Sequence, residues 1–311
     1  MTRIVIILAL PMRAALLPAL LALAVLAGCG GDDSPDGRLP VVATTTQVAD
    51  IVANVGGDRI DLDPLLAPNA DPHDYEPRPS DAEAVARAQL LVRSGGDLDD
   101  WLGDVIEGAG ADAAVLTLID HVRARDDDPH WWHDPRNGVL AVEAVRDALV
   151  KADPAGQVMY ESNARAYART LVGLDREVAR CIDAVPPERR KLVTTHDALG
   201  YFAARYGIDM IGAVLDSLST QAQPSAGDTH ALVDQMREQD VHVVFAESSI
   251  DPRLERAIAG EADARVGEPL WADTLGPAGS AGDTYVKSIA ANADALARGF
   301  GGGGCELPAA R

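Results

Sequence analysis

Between residues 135 and 185 this chain shows no strand pattern, whereas on both sides of that stretch short apolar runs alternate with amphipathic helical segments. No other feature restricts the fold as strongly. On the N-terminal side, residues 41–45, 60–66, 90–93 and 114–118 read as buried strands, with helices over 47–55, 81–88 and 98–107; Gly56-Gly57 stops the first of these helices. A second alternating set follows, with strands at 191–195, 209–214 and 241–246 and helices over 198–206, 229–238, 252–261 and 284–298. Strands that alternate with helices pair in mainly parallel sheets, because each crossover returns the chain to the same end of the sheet.

In the strandless stretch, Asp153-Pro154 opens a run in which Tyr160, Tyr167, Leu171, Leu174 and Val178 keep helical spacing until Pro186-Pro187 ends it. This predicts one connecting helix over 153–185. The expected fold class is therefore α/β, with two lobes of mainly parallel sheet, at 40–152 and 186–311, joined by one long connecting helix. A chain of 311 residues is long enough for each lobe to bury its own core. Ligands of open parallel sheets sit beyond the carboxyl ends of the strands, so a site is expected in the cleft between the lobes, on loops that follow strands.

At the N-terminus, residues 4–10 and 14–27 are apolar, are interrupted by Arg13, and end in Leu26-Ala27-Gly28-Cys29. A cationic start, an apolar stretch and small residues at a cut make a secretory leader, and this ending resembles a lipobox, which leaves an acylated Cys29 first. Residues 1–28 are expected to be a lipoprotein signal peptide and 29–39 a flexible tether. The alternative is an uncleaved membrane helix, which Pro11, Arg13 and Pro18 would interrupt. Two or three acyl chains, at about 0.8 kcal/mol per buried methylene, hold a protein stably to a bilayer. The expected location is thus extracytoplasmic, with the lipid bilayer a partner through Cys29. Thiols oxidise there, so Cys181 and Cys305 are expected to form a disulfide that ties the glycine-rich tail onto the body; the alternative is two unrelated cysteines. A formal charge of −21 argues against nucleic acid as a partner.

Seven histidines are few enough to weigh singly. His73 lies in Asp71-Pro72-His73-Asp74 after the second strand, and His130 in Asp128-Pro129-His130-Trp131-Trp132-His133-Asp134 after the fourth. His196 ends the first strand of the second lobe in Thr194-Thr195-His196-Asp197, and Asp273 has a comparable place in Trp271-Ala272-Asp273-Thr274. Two loops from each lobe would converge on one ion. Neutral imidazoles with one carboxylate suit Zn²⁺ in tetrahedral geometry. Asp74, Asp134 and Asp197 are expected to accept hydrogen bonds from the ligand rings. Widely separated single histidines are more often surface or core residues than ligands, so spacing alone leaves that reading open. His121, His230 and His242 are read as bystanders and Glu247 as support or packing near the cleft. Trp131, Trp132 and Trp271 either shield the site from water or are plain core aromatics.

Several long motifs then point one way. DPHDYEPRPSD at Asp71, DPHWWHDPRNG at Asp128, THDALGYFAARYGI at Thr195, STQAQPSAGD at Ser219, VFAESSIDPRLERAIA at Val244 and ADTLGPAGSAGDTY at Ala272 stand in this order. The chain from 41 to 298 thereby resembles the metal-binding solute-receptor family of zinc and manganese ABC importers. The resemblance implies two lobes bridged by a rigid helix and metal ligands at His73, His130, His196 and Asp273. It also implies capture of a divalent ion and its delivery to the membrane permease of an ABC importer, with no bond made or broken. A monomer is expected. Members resembling manganese receptors tend to carry a carboxylate where this chain has His196, so zinc is expected ahead of manganese. His133, three residues from His130, is the alternative ligand there. A zinc-dependent hydrolase is the competing function; it would need an open coordination position, which Asp273 fills. Because imidazoles must lose a proton to coordinate, affinity is expected to fall steeply below about pH 6.

Overall fold

In the computed structural model, which describes residues 37–308, the N-terminal half is organised by alternation along its first strand. β1 (Leu39–Ala43) sends Val41 and Ala43 into one apolar cluster and Val42 into another, as a period of two requires of a strand buried on both faces. β2 (Ile60–Pro64), β3 (Leu90–Arg93) and β4 (Ala114–Thr117) join it in the order β2-β1-β3-β4, every pair parallel. The expected leader over 1–28, Cys29 and the tether up to residue 36 lie outside the described residues.

Helices cover both faces of this sheet. α1 (Thr46–Gly56) starts where the Thr45 hydroxyl accepts a hydrogen bond from the Val48 N–H, and stops at Gly57, whose φ of 55° suits a residue without Cβ. Its stripe of Val48, Ile51, Val52 and Val55 joins the cluster of Val41 and Ala43. α2 (Pro79–Arg87) and α3 (Leu102–Ala109) meet Val42 and Leu91 on the opposite face through Ala84, Val85 and Leu102.

The strandless stretch holds two helices, where the sequence pattern suggests one. α4 (Pro135–Ala152) is capped by Asp134, which accepts from the Arg136 N–H at 2.9 Å, and has Pro135 in its first turn. After a 3₁₀ turn at Pro154–Gly156, α5 (Gln157–Asp183) runs 27 residues, a rise of about 40 Å. Its buried stripe is Tyr160, Ala164, Tyr167, Leu171, Leu174, Val178 and Ile182. α5 is the long connecting helix of the two-lobed α/β fold.

Beyond it, β5 (Lys191–Thr194) pairs with β6 (Asp209–Ala213), and β7 (Val243–Val244) with β8 (Arg265–Val266), both parallel; a Thr194–Phe245 bridge links the two pairs. β8 has no counterpart among the expected strands, since two residues carry no periodicity. α6 (Gly200–Tyr206), α7 (Ala226–Glu238), α8 (Arg253–Glu261) and α9 (Tyr285–Gly299) complete this half. Ser225 and Asp228 form a capping box that starts α7 three residues before the expected 229.

α5 is fastened at both ends. Near its start Arg59 donates twice to Asp153 (2.8 and 3.0 Å), the Tyr160 hydroxyl donates to the same carboxylate (2.8 Å), and the Tyr167 hydroxyl donates to Asp50 (2.6 Å). Farther along, Asp175 accepts two hydrogen bonds from Arg205 of α6, at 2.8 and 2.7 Å. One apolar cluster runs through the helix from Val41 and Val92 to Leu192, Phe245 and Leu296. Near the end of α5 the Cα atoms of Cys181 and Cys305 are 5.5 Å apart, a separation that suits a disulfide. Among the described residues no helix is long and apolar enough to cross a membrane.

Gly138 shows how tightly α4, α5 and α9 approach. A Cβ there would lie 2.8 Å from the Tyr285 hydroxyl and 3.2 Å from Leu171 Cδ1, whereas one on Gly103 of α3 would meet nothing within 4 Å. Gly138→Ala is expected to destabilise the protein by about 1–3 kcal/mol through overpacking. Gly103→Ala should be neutral or stabilising by up to about 1 kcal/mol. Denaturant unfolding of the two variants checks this; equal midpoints would contradict the packing described.

Candidate metal centre

Three imidazoles and one carboxylate meet where loops leave the carboxyl ends of strands in both halves. His73 follows β2 on a 3₁₀ turn, Pro72–Asp74, capped by Asp71, whose Oδ1 accepts from the His73 N–H at 2.9 Å. His130 follows β4 and directly precedes the turn Trp131–His133. His196 lies two residues past β5, and Asp273 in the loop after β8. The four side chains form a group whose ligand atoms lie within 4.8 Å of one another.

The contacts are closer than that limit. His130 Nε2 is 3.4 Å from His73 Nε2 and 3.3 Å from His196 Nε2. Asp273 Oδ2 is 3.4 Å from His73 Nε2 and 3.2 Å from His196 Nε2, and its Oδ1 is 3.4 Å from His130 Nε2. Tetrahedral ligands about 2.0–2.1 Å from a zinc ion stand about 3.3 Å from each other, and the 3.2–3.4 Å separations here are of that size, with both carboxylate oxygens turned toward the rings. Both Asp273 oxygens are buried without a hydrogen-bond partner in the fold and face only the three Nε2 atoms. A buried carboxylate in that state calls for a cation.

The rings are oriented from behind. Asp128 Oδ1 is 2.8 Å from His130 Nδ1 and also accepts the His130 N–H at 3.0 Å. Glu247 Oε1 is 2.5 Å from His196 Nδ1 and accepts the His196 N–H at 3.3 Å. A carboxylate at Nδ1 keeps a proton on that nitrogen and turns Nε2 inward, so that a metal ion would meet the Nε2 lone pair once any second proton has left. These partners differ from the expected Asp134 and Asp197. Asp134 instead caps α4 and pairs with Arg136 (2.6 Å), while the Asp197 N–H donates to Ser217 O (2.9 Å). Asp74 is exposed. Asp128 escapes sequence reasoning because it precedes its histidine by two residues across a proline, and only the loop geometry folds it back.

Aromatic residues fix the loops. Trp131 and Trp132 are buried; the Trp131 Nε1–H donates to Ser94 Oγ and the Trp132 Nε1–H to the Ala272 carbonyl, both at 3.0 Å. The Tyr285 hydroxyl donates to the Trp132 carbonyl at 2.5 Å. Asn292 of α9 pairs with both the N–H and the carbonyl of Trp271, at 2.8 Å each, and so sets the loop that carries Asp273. His133 is buried as well, but it stands outside the four-residue group, and neither ring nitrogen has a hydrogen-bond partner. His121, His230 and His242 are exposed.

Electrostatics divides the buried groups. Burial alone would lower the His196 pKa, but the carboxylates of Asp273 and Glu247 reverse this and raise it well above 6.5. Burial would raise the Asp273 pKa, yet the charges of His196 and His130 hold it well below the usual carboxylate range. Glu247 is pushed up by burial, and His196 only partly offsets this. His133 is lowered to about 3 by burial and then by the charge of His130.

In the metal-free protein the stabilisation from His196 is therefore full at low pH and lost only as pH rises through its raised pKa. That from Asp273 persists until pH falls through its lowered one. Across the neutral range the pair stays charged, so nitrogen NMR of the metal-free protein should show His196 as imidazolium at pH 7 and His133 as neutral down to about pH 3. Glu247→Gln should lower the His196 pKa. A neutral His196 at pH 7 in the parent would contradict this account.

Residues 41–299 match the family model described as ZnuA, zinc-uptake complex component A periplasmic. The manganese-binding lipoprotein MntA of Halalkalibacterium halodurans is 30% identical over 284 residues, which span 88% of this chain and 94% of that protein. The metal ABC transporter substrate-binding lipoprotein SsaB of Streptococcus sanguinis is 28% identical over 299 residues, 90% of this chain and 96% of that one. Among solved structures, the periplasmic zinc binding protein TroA from Treponema pallidum superposes with a TM-score of 0.79 at 29% identity, over 85% of this chain and 99% of that chain. With its fold, its four-ligand group and these relationships, the chain belongs to the ZnuA family, the substrate-binding proteins of metal ABC transporters.

Proposed function

We propose that this protein captures one zinc ion between His73, His130, His196 and Asp273 and delivers it to the membrane permease of an ABC importer, working outside the cytoplasm as a monomeric lipoprotein held to the bilayer through Cys29. The observation that carries the reading is the orphaned, buried carboxylate of Asp273 ringed by three inward-facing imidazole nitrogens. Three nitrogens and an oxygen suit zinc, and in any such mixed site the Irving–Williams order favours Zn²⁺ over Mn²⁺. Manganese is the second reading, supported by the names of relatives such as the manganese-binding lipoprotein MntA and the manganese ABC transporter substrate-binding lipoprotein PsaA of Streptococcus anginosus.

The expected chemistry is coordination alone. A zinc hydrolase keeps a coordination position for water, and here the Asp273 carboxylate stands at the fourth corner. Metal binding must expel the proton that His196 retains at neutral pH, so affinity should decline with falling pH from above 6.5, higher than the pH 6 that ordinary imidazoles suggest.

Competitive titration with Zn²⁺ and Mn²⁺ tests the proposal. One zinc per chain is expected, with zinc preferred, and each of His73→Ala, His130→Ala, His196→Ala and Asp273→Ala should weaken binding more than the roughly 10–100-fold loss typical of an outer partner such as Asp128→Asn or Glu247→Gln. His133→Phe should retain zinc. His196→Glu should shift preference toward manganese. Preference of the parent for manganese would replace zinc as the cargo, and zinc affinity indifferent to all four substitutions would remove the site.

We also propose that Cys181 and Cys305 are disulfide-bonded in the mature protein, pinning the tail to the end of α5. The loop closed spans 124 residues, and its loss should cost roughly 2–4 kcal/mol of stability. Thiol alkylation of unfolded protein without reductant should label neither cysteine; labelling of both would refute the bond.

A further inference from the structure

His73 is the least firmly held of the four ligands. Carboxylates stand behind His130 and His196, and Asn292 pins the loop of Asp273. Among the described residues no hydrogen bond reaches His73 Nδ1, although its side chain, 3% exposed, is as enclosed as the others. Its direction therefore comes from the backbone of the turn Pro72–Asp74, which Asp71 caps through Oδ1.

The other oxygen of Asp71 is engaged from across the cleft. Thr220 Oγ1 donates to Asp71 Oδ2 at 2.7 Å, over a separation of 149 residues. The segment that carries Thr220 starts beside another ligand: the Leu215 N–H donates to Thr195 O (2.7 Å), and Ser217 O accepts from the Asp197 N–H (2.9 Å). Residues 215–220 thus form a strap, tied at one end to the backbone on both sides of His196 and at the other to the cap of the His73 turn. Other bonds across the cleft serve other loops: Asn69 N–H to Leu275 O at 3.0 Å and Leu275 N–H to Thr46 Oγ1 at 2.8 Å at the Asp273 loop, and Arg125 N–H to the Tyr201 hydroxyl at 2.7 Å and Tyr201 hydroxyl to Asp128 O at 3.3 Å at the His130 loop. The bond from Thr220 is the one that acts on the His73 cap.

We propose that Thr220 is a positioning residue that latches the closed site, so that breaking its bond to Asp71 frees the His73 turn and sets the rate at which the metal leaves. The inference rests on the reading of the protein as a metal receptor. Thr220 does not touch the ion; it acts through Asp71 and the backbone of His73. A hydroxyl bound to a carboxylate is charge-assisted and stronger than a neutral hydrogen bond, and this one must break before the strap and the turn can separate. Ligand loss begins at His73, because the three other corners keep their supports when the strap lifts.

The test is dissociation of Zn²⁺ from the loaded full-length chain into excess chelator, for the parent, Thr220→Val and Thr220→Ser. Valine keeps the shape and removes the donor; serine keeps the donor. Zinc should leave Thr220→Val about tenfold faster than the parent, and Thr220→Ser within about twofold of it, as expected for loss and retention of one charge-assisted hydrogen bond. Stoichiometry and the melting temperature of the metal-free forms should be unchanged. Normal loading with parental dissociation from Thr220→Val overturns the latch alone, as does a serine variant as fast as the valine one. A parent that takes up neither Zn²⁺ nor Mn²⁺ overturns the receptor reading and the latch with it.

Discussion

The arrangement turns on one buried negative charge. Asp273 is 2% exposed, and neither of its oxygens is satisfied by a backbone or side-chain donor in the fold. An uncompensated carboxylate in such a place would protonate or unfold its surroundings; here it is held ionised because imidazoles from three other loops face it. His196, from the same half as Asp273, contributes most to this, and His73 and His130 complete the ring from the other half. The shared core around α5 and the bidentate pairs that fasten the helix to each half keep the sheets where this meeting is possible.

The second constraint is that the imidazoles must present lone pairs and not protons to the centre. Asp128 and Glu247 prepare this at His130 and His196 by accepting a hydrogen bond from Nδ1–H, which leaves Nε2 as the nitrogen that must be proton-free to bind. Each also accepts the backbone N–H of its histidine, so ring and main chain are positioned by one carboxylate. The cost appears at Glu247, whose second oxygen is buried and unpaired and whose pKa burial raises. A site stripped of metal is therefore strained in charge, and an arriving cation relieves Asp273 and displaces the proton on His196 together.

Much of this was legible in the sequence, for identifiable reasons. Strands such as 90–93 and helices such as α1 and α5 carry enough residues for their periods to show, and the four residues that come together lie in motifs of eight or more residues. What stayed hidden depends on contacts distant in sequence or on elements too short to have a period. β8 is two residues long, and the partnership of Glu247 with His196 spans 51 positions. α4 was masked by its neighbour: with no strand between them, two helices read as one strandless region, although Asp134-Pro135 marks a helix start. His130 and not His133 falls in the four-residue group because of how the turn Trp131–His133 folds, and residue type alone carries no such information.

Metal choice in a receptor of this kind follows from how rigidly the third nitrogen is held. A buried ring clamped by Glu247 at 2.5 Å has little freedom to withdraw and admit water. Manganese favours oxygen donors and more of them, whereas zinc is content with four. Both Asp273 oxygens already face the rings, so a further oxygen donor would have to be water, and making room for it at His196 would break the bond to Glu247. At His73, whose Nδ1 receives no hydrogen bond among the described residues, yielding would cost the bond between Thr220 and Asp71 instead. On the functional reading proposed above, that asymmetry makes His73 the side from which the ion departs, as a protein that must both hold a metal and surrender it requires.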